Sequence, residues 1–201
     1  TYLGACRGLQ AADVKKSDIA SAKVLYIEGY LWDMEAAKAA SRKAIAAARE
    51  AGTKTAFTLS DPFCVGRFRD EFLELIRDDI DIVFANEDEA KALFGTEDFD
   101  GALQALSDWG GIAAVTRGAQ GCVVVGQGET HIIDAVPVKQ VVDTTGAGDQ
   151  FAAGFLYGLT HGKALGVCGK LGSLAAGEII SHFGARPQNS LAELARKAGL
   201  I

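Results

Sequence analysis

Apolar positions along the chain follow two alternating periods, which predict strands and helices in turn. Short apolar runs predict strands at 23–30, 53–59, 81–85 and 112–116, and a hairpin with arms at 121–125 and 130–133. Apolar spacings of three and four residues predict helices at 34–51, 87–94, 99–109 and 163–182. This alternation is typical of an α/β protein with a mainly parallel central sheet and helices on both faces.

The most informative stretch lies at 143–149, between a predicted strand at 136–142 and an apolar helix predicted to begin near Gln150. Gly146, Ala147 and Gly148 would place backbone amides at a helix start, where the helix dipole favours an anion. Asp149 would repel a bound phosphate, which suggests phosphoryl transfer with Asp149 accepting a proton from an attacking hydroxyl. The alternative is a turn capped by an aspartate, without a ligand.

Asn86 and Glu89 stand three residues apart at a predicted helix start. This spacing is typical of a capping box, and the same oxygen atoms suit a hydrated Mg²⁺ ion, so the two roles are compatible. Asn86, Thr116 and Asp143 each fall at or just after the predicted carboxyl end of a strand. Ligands of parallel sheets bind at that edge, so the pattern predicts one site there.

Three stretches together carry a family resemblance. Residues 143–155 closely resemble the second signature of the ribokinase-like (PfkB) carbohydrate and nucleoside kinases. Residues 86–89 resemble the Asn-x-x-Glu motif of that family, and residues 116–121 resemble its Thr-x-Gly-x-x-Gly nucleotide loop. Residues 26–30 and 59–63 are similar to the adenosine kinase-like branch. The resemblance extends over nearly the whole chain.

The resemblance implies ATP-dependent phosphorylation of a hydroxymethyl group on a nucleoside, with adenosine as the first candidate, or on a sugar. Asp149 would be the base, and the amides of Gly146, Ala147 and Gly148 would form the anion hole. The implied nucleotide-binding residues are Asn86, Thr116, Gly118 and Gly121. Glu89 would contact Mg²⁺ through water, beside Asn86. The open alternative is a non-catalytic nucleotide- or metabolite-binding protein with the same fold.

The resemblance has two further implications. Asp143 and Thr145, with the later loop at 183–187, resemble the two halves of a monovalent-cation site that would bind K⁺ in some family members. The amino-terminal third of the family pattern, with its di-glycine hinge and lid strands, has no counterpart in this chain. Residues 1–201 would therefore be a nucleotide-binding carboxy-terminal part of a ribokinase-like domain, inactive alone, and pairing into a homodimer would use the missing lid.

Composition weighs against nucleic-acid and membrane partners, while the resemblance implies a small-molecule nucleoside or sugar as partner. The 201 residues, 49% of them apolar, suffice for one domain with a sizeable core. A net charge of −6 weighs against nucleic acid, and no apolar run reaches the roughly 18 residues needed to cross a bilayer. The four cysteines are dispersed, without a Cys-x-x-Cys pair, which weighs against zinc and predicts a reducing, cytoplasmic location.

Overall fold

A computed structural model describes residues 4–201 of the chain. Six strands form one sheet in the order β1-β2-β3-β4-β5-β6. Strands β1 and β2 pair in parallel, as do β2 and β3, whereas β5 and β6 form an antiparallel hairpin. The predicted α/β class with a mainly parallel sheet is confirmed. The strand bounds are β1 Val24–Glu28, β2 Lys54–Thr58, β3 Ile82–Asn86, β4 Ile112–Thr116, β5 Cys122–Gly126 and β6 Glu129–Ile133.

Eight α-helices lie in the described part of the chain, and the predicted bounds of two of them, at 87–94 and 99–109, are confirmed to the residue. Both have strong local signals, since a capping side chain precedes each and a left-handed glycine follows each. No helix between residues 4 and 201 is both long enough and apolar enough to cross a membrane. The helices are α1 Lys16–Ser21, α2 Glu35–Ala51, α3 Pro62–Asp79, α4 Glu87–Phe94, α5 Phe99–Trp109, α6 Ala147–Thr160, α7 Leu165–Ile179 and α8 Leu191–Lys197.

The predicted strand at 136–142 is wrong, because this segment belongs to no strand. Pro137 lacks the N–H group that a sheet ladder requires. The Val142 N–H instead donates to the Ile180 carbonyl at 2.8 Å. A Cβ placed on Gly177 of α7 would lie 3.2 Å from Val136 Cβ, so this apolar segment packs on a helix. Asp143 therefore does not follow a strand end, unlike Asn86 and Thr116, which are the last residues of β3 and β4.

The chain divides into two compact units, Thr1–Ala113 and Ala114–Ile201. The core of the first unit is built around three aromatic rings that belong to Trp32, Phe57 and Phe72, all at most 1% exposed. Their centroids lie 4.9–5.7 Å apart in edge-to-face arrangements, which aromatic pairs favour. The cluster fills the space between β2, α3 and the 3₁₀ turn Gly29–Asp33.

Glycines set the packing of the second unit. A Cβ on Gly154 of α6 would lie 2.5 Å from the Leu171 carbonyl oxygen of α7, and one on Gly172 would lie 2.8 Å from the Phe151 carbonyl oxygen. A Cβ on Gly169 of α7 would lie 2.6 Å from the Ile133 side chain of the hairpin. The backbones of α6 and α7 thus approach at distances that only glycine permits, which fixes α6, and the helix start that it carries, against α7.

Replacing Gly154 with alanine should destabilise the protein by about 1–3 kcal/mol, because the new methyl group would collide with α7. The control is Gly66→Ala in α3, where a Cβ would meet nothing within 4 Å and where φ is not positive. That change should stabilise the protein by about 0.5–1 kcal/mol through helix propensity. Urea unfolding of both variants measures the difference, and equal effects would show that the helix contact does not require glycine.

Candidate functional site

The start of α6 exposes unpaired backbone donors. Gly146 precedes the helix with φ 78° and ψ 6°, and a Cβ there would lie 2.8 Å from the Ala185 side chain, so glycine is required for two reasons. The Ala147 N–H donates to the Thr144 carbonyl at 3.1 Å. Within residues 4–201, the amides of Gly146, Gly148 and Asp149 have no acceptor. These three amides, rather than the predicted set that includes Ala147, are available to an anion.

Asp149 lies beside these donors in the first turn of α6, and its side chain is exposed. Gly148 has an ordinary helical φ, and a Cβ at that position would meet nothing within 4 Å. The space next to the amides is therefore open. One carboxylate acceptor and several fixed N–H dipoles at the positive end of a helix can orient a hydroxyl group and hold an anion at the same place.

Asp143 organises the turn before α6. Its Oδ1 accepts hydrogen bonds from the Thr145 N–H at 2.9 Å and the Thr145 hydroxyl at 2.7 Å, and its Oδ2 accepts from the Gly184 N–H at 3.3 Å. The bonds from Thr145, followed by that from Gly184, lower the pKa of Asp143 below its ordinary value. The segments predicted as two halves of a monovalent-cation site, at 143–145 and 183–187, thus lie next to each other.

A buried carboxylate that sequence analysis missed lies in α7. The Glu178 side chain is 3% exposed. Its Oε1 accepts from the Gln188 N–H at 3.0 Å and from the Asn189 N–H and Nδ2 at 2.9 and 3.0 Å, and its Oε2 lies 3.1 Å from His182 Nε2. The one sequence signal for this network is a glutamate on an otherwise apolar helix, four residues before a histidine.

The donors decide the charge of this network. Burial raises the pKa of Glu178, but the hydrogen bonds from His182, Asn189 and Gln188 outweigh burial and leave that pKa below its ordinary value. The hydrogen bond to Glu178 raises the pKa of His182. Glu178 is therefore a buried, hydrogen-bonded carboxylate at neutral pH.

The loop at 116–121 is closed by its own backbone. The Arg117 N–H donates to the Gly121 carbonyl at 2.8 Å, and the Gly121 N–H donates to the Gly118 carbonyl at 3.1 Å. Both glycines have positive φ, 54° at Gly118 and 81° at Gly121. A Cβ on Gly121 would overlap the Ile133 carbonyl oxygen. The hairpin alone thus requires glycine at 121, whether or not the loop binds a nucleotide.

Asn86 and Glu89 form the predicted capping box at the start of α4. The Glu89 N–H donates to Asn86 Oδ1 at 2.8 Å, and the two Glu89 carboxylate oxygens accept from the Asn86 N–H at 2.9 Å and from Asn86 Nδ2 at 2.7 Å. Burial raises the pKa of Glu89 to about 7 against the Asn86 hydrogen bond, and the nearby carboxylates of Asp61 and Asp88 raise it further. The cap stabilises α4 whatever else the pair binds.

The predicted site residues fall into three groups. Asp143, Thr145 and Gly146 come together with the later loop, directly before Asp149. The 116–121 loop lies in the same unit, whereas Asn86 and Glu89 belong to the first unit. Among residues 4–201, no three His, Cys, Asp or Glu side chains are arranged to hold a metal ion. A metal here would need water or a ligand for most of its coordination.

Comparisons with known proteins agree with the resemblance in the motifs. The model of the pfkB family of carbohydrate kinases matches residues 2–191. A probable sugar kinase from Rhizobium etli is 50% identical with a TM-score of 0.96, and the match covers 100% of this chain and 61% of that one. Adenosine kinase from Sinorhizobium meliloti is 54% identical with a TM-score of 0.94, covering 98% and 61%. An Arabidopsis thaliana ribokinase, complexed with ribose and ATP, is 25% identical with a TM-score of 0.72, covering 89% and 57%.

The chain spans about half the length of the curated relatives that it matches. The matched regions cover 42%, 45% and 52% of three of them. The activities of these relatives therefore belong to proteins longer than this chain.

The Asn86→Ala variant should lose about 2–3 kcal/mol of stability, because it removes the helix cap and also the Nδ2 donor to the buried Glu89 Oε1. The backbone N–H of residue 86, which donates to Glu89 Oε2, is retained. The control is Asp98→Ala at the start of α5, where the side chain only accepts from Asp100 N and Gly101 N. That variant should lose about 1 kcal/mol. Chemical denaturation of both measures the difference. Equal losses would mean that Glu89 contributes nothing to the cap.

Proposed function

Because this chain belongs to the pfkB carbohydrate kinase family, we propose that the whole protein transfers the terminal phosphoryl group of ATP to a hydroxymethyl group of a nucleoside or a sugar. The observation that carries the proposal is the start of α6, where the unpaired amides of Gly146, Gly148 and Asp149 lie beside the exposed Asp149 carboxylate. Water can satisfy the free amides of any exposed helix start, so it is the carboxylate beside them that favours phosphoryl transfer here. Phosphoryl transfer needs both donors and a hydroxyl acceptor at one place.

The backbone amides at the start of α6 would stabilise the transferring group. Bound ATP supplies the phosphoryl group, and its negative charge spreads over three equatorial oxygens during transfer. Fixed N–H dipoles at the amino end of α6 favour that charge without reorganising. The absence of a side chain at Gly148 lets the group approach the backbone.

Asp149 would orient the acceptor hydroxyl and take its proton. A loose transition state requires little deprotonation of the hydroxyl before the phosphoryl group moves. Correct placement of the hydroxyl oxygen can therefore provide most of the effect.

The nucleotide and its Mg²⁺ would use the other predicted residues. Thr116, Gly118 and Gly121 would present a loop of backbone groups to the phosphates and ribose, and Asn86 is proposed as a further nucleotide-binding residue. Glu89 retains a lone pair on each carboxylate oxygen beyond the bonds from Asn86, which suits a hydrogen bond to a Mg²⁺-bound water. Mg²⁺ would neutralise phosphate charge, so that an acidic chain can bind an anionic nucleotide.

Of the two acceptor classes, we propose a nucleoside rather than a sugar. The chain is 54% identical to an adenosine kinase and 50% identical to a probable sugar kinase, so overall identity does not separate the two classes. The segments at 26–30 and 59–63 favour adenosine. Phe63, 81% exposed at the start of α3, offers a ring on which a base can stack.

The formation of a homodimer through lid strands, which the family resemblance implies, stays a prediction.

Replacing Asp149 with asparagine in the full-length protein should lower turnover by at least about 100-fold, because the amide orients the hydroxyl poorly and takes no proton. ATP binding by calorimetry should change little. The control is Glu193→Gln, an exposed carboxylate on α8. Turnover is measured with adenosine, cytidine, ribose and fructose as acceptors. Wild-type turnover in Asp149→Asn, or no turnover by the wild-type protein with any acceptor, would contradict the proposal.

We also predict that K⁺ activates the enzyme through the joined segments at 143–145 and 183–187. Replacing K⁺ by tetramethylammonium at constant ionic strength should lower turnover, since the larger cation does not fit among backbone carbonyls. Asp143→Asn should weaken the response of turnover to K⁺. The substitution removes a negative charge beside the cation and alters the hydrogen bonds that Asp143 accepts from Thr145 and Gly184. Indifference of the wild-type protein to K⁺ would remove this part of the proposal.

A further inference from the structure

The loop at 181–190 reaches the start of α6 but has almost no core of its own. The Gly184 N–H donates to Asp143 Oδ2 at 3.3 Å, and the Ala185 side chain closes the space beside Gly146. Of residues 181–190, only His182 is even partly buried, and Phe183 is 78% exposed. Apolar packing therefore does not explain how this loop holds its position.

Polar bonds to Glu178 provide the anchor instead. All three donors at the far end of the loop, the Gln188 N–H, the Asn189 N–H and Asn189 Nδ2, converge on Oε1, while His182 at the near end meets Oε2. The carboxylate lies at the end of α7, which packs on α6 and on the β5–β6 hairpin through its glycines. One buried group on a rigid helix thus holds both ends of the loop.

We propose that Glu178 is a positioning residue for the phosphoryl-transfer site, because it holds Gly184 and Ala185 against the turn that places the amides of α6. The inference rests on the proposed function and extends it to a side chain that is only 3% exposed. The series of contacts leads from Glu178 through the loop at 181–190 to Asp143 and Gly146. Gly148 and Asp149 follow directly in the chain.

The hydrogen bonds, rather than the negative charge, carry this effect. A glutamine at 178 keeps an acceptor at the Oε1 position for all three donors. Its amide can donate to His182 Nε2 when the histidine carries its proton on Nδ1, which lies 3.2 Å from the Phe183 carbonyl. Glutamine therefore preserves each contact of the network, whereas alanine removes all of them.

The test compares Glu178→Ala, Glu178→Gln and the control Glu193→Gln in the full-length protein, at a temperature where circular dichroism shows each variant folded. Glu178→Ala should lower kcat by about 10- to 100-fold, since a displacement of about 1 Å at reacting groups has effects of that size. The acceptor KM should stay within about threefold, because acceptor contacts are untouched. Glu178→Gln should recover most of the loss, and Glu193→Gln should behave as wild type.

Hydrogen exchange measured by mass spectrometry gives a second readout that needs no activity. Glu178→Ala should raise exchange in peptides covering 181–190 and 143–149, while exchange in β1–β3 stays unchanged. A folded Glu178→Ala variant with wild-type kcat and unchanged exchange would overturn the proposal. Equal losses in the alanine and glutamine variants would overturn its hydrogen-bond basis.

Two further variants cover the case in which Glu178→Ala does not fold. His182→Ala and Asn189→Ala each remove one side-chain donor, at opposite ends of the loop, and each should lower kcat and raise exchange at 143–149. Wild-type values in both would overturn the proposal. If the wild-type protein phosphorylates no acceptor, the proposed function fails, whereas exchange at 143–149 still decides whether Glu178 positions this turn.

Discussion

The close approach of α6 and α7 is the constraint on which the second unit depends. Gly154 faces the Leu171 carbonyl and Gly172 faces the Phe151 carbonyl, with no space for a methyl group at either point. A third glycine, Gly169, lets α7 lie directly on the hairpin. Since dense interiors transmit displacement rather than absorb it, the contacts along α7 determine where α6 begins and hence where its free amides lie. A site built from backbone groups needs this kind of support, because backbone donors cannot be repositioned by a rotamer change.

Different physical constraints explain why glycine occupies each position of the candidate site. Gly121 and Gly146 combine positive φ with a neighbour that leaves no room for a side chain, so the fold alone requires them. Gly148 has neither restriction, although alanine would favour the helix by about 1 kcal/mol at such a position. A glycine that the local structure does not require, beside unpaired amides, is the position where approach of a ligand to the backbone best explains the residue. The functional argument therefore rests on Gly148 and Asp149 more than on the turn before them.

Two buried glutamates differ in how far their hydrogen bonds offset burial. Burial raises the pKa of Glu89 to about 7 against hydrogen bonds from Asn86 alone, and the nearby carboxylates of Asp61 and Asp88 raise it further. Glu178 is bound by His182, Gln188 and Asn189, and its pKa falls below the ordinary value. A nearby cation would favour the charged form of Glu89, whereas the donors around Glu178 already favour its charged form. Both glutamates are at helix ends, where backbone donors and carbonyls collect.

The sequence by itself determined the elements whose signals are local. The bounds of α4 and α5 follow from Asn86, Asp98 and the glycines after each helix, and the motif at 143–149 predicts the helix start that carries the candidate site. The same kind of argument failed at 136–142, since an apolar run with β-branched residues suits a strand and a helix-packed segment equally well. Only the tertiary structure decided that choice, through Gly177 and the bond from Val142 to Ile180. It also decided the role of Glu178, because donors ten and eleven residues further along the chain reach this carboxylate only after the loop has folded back.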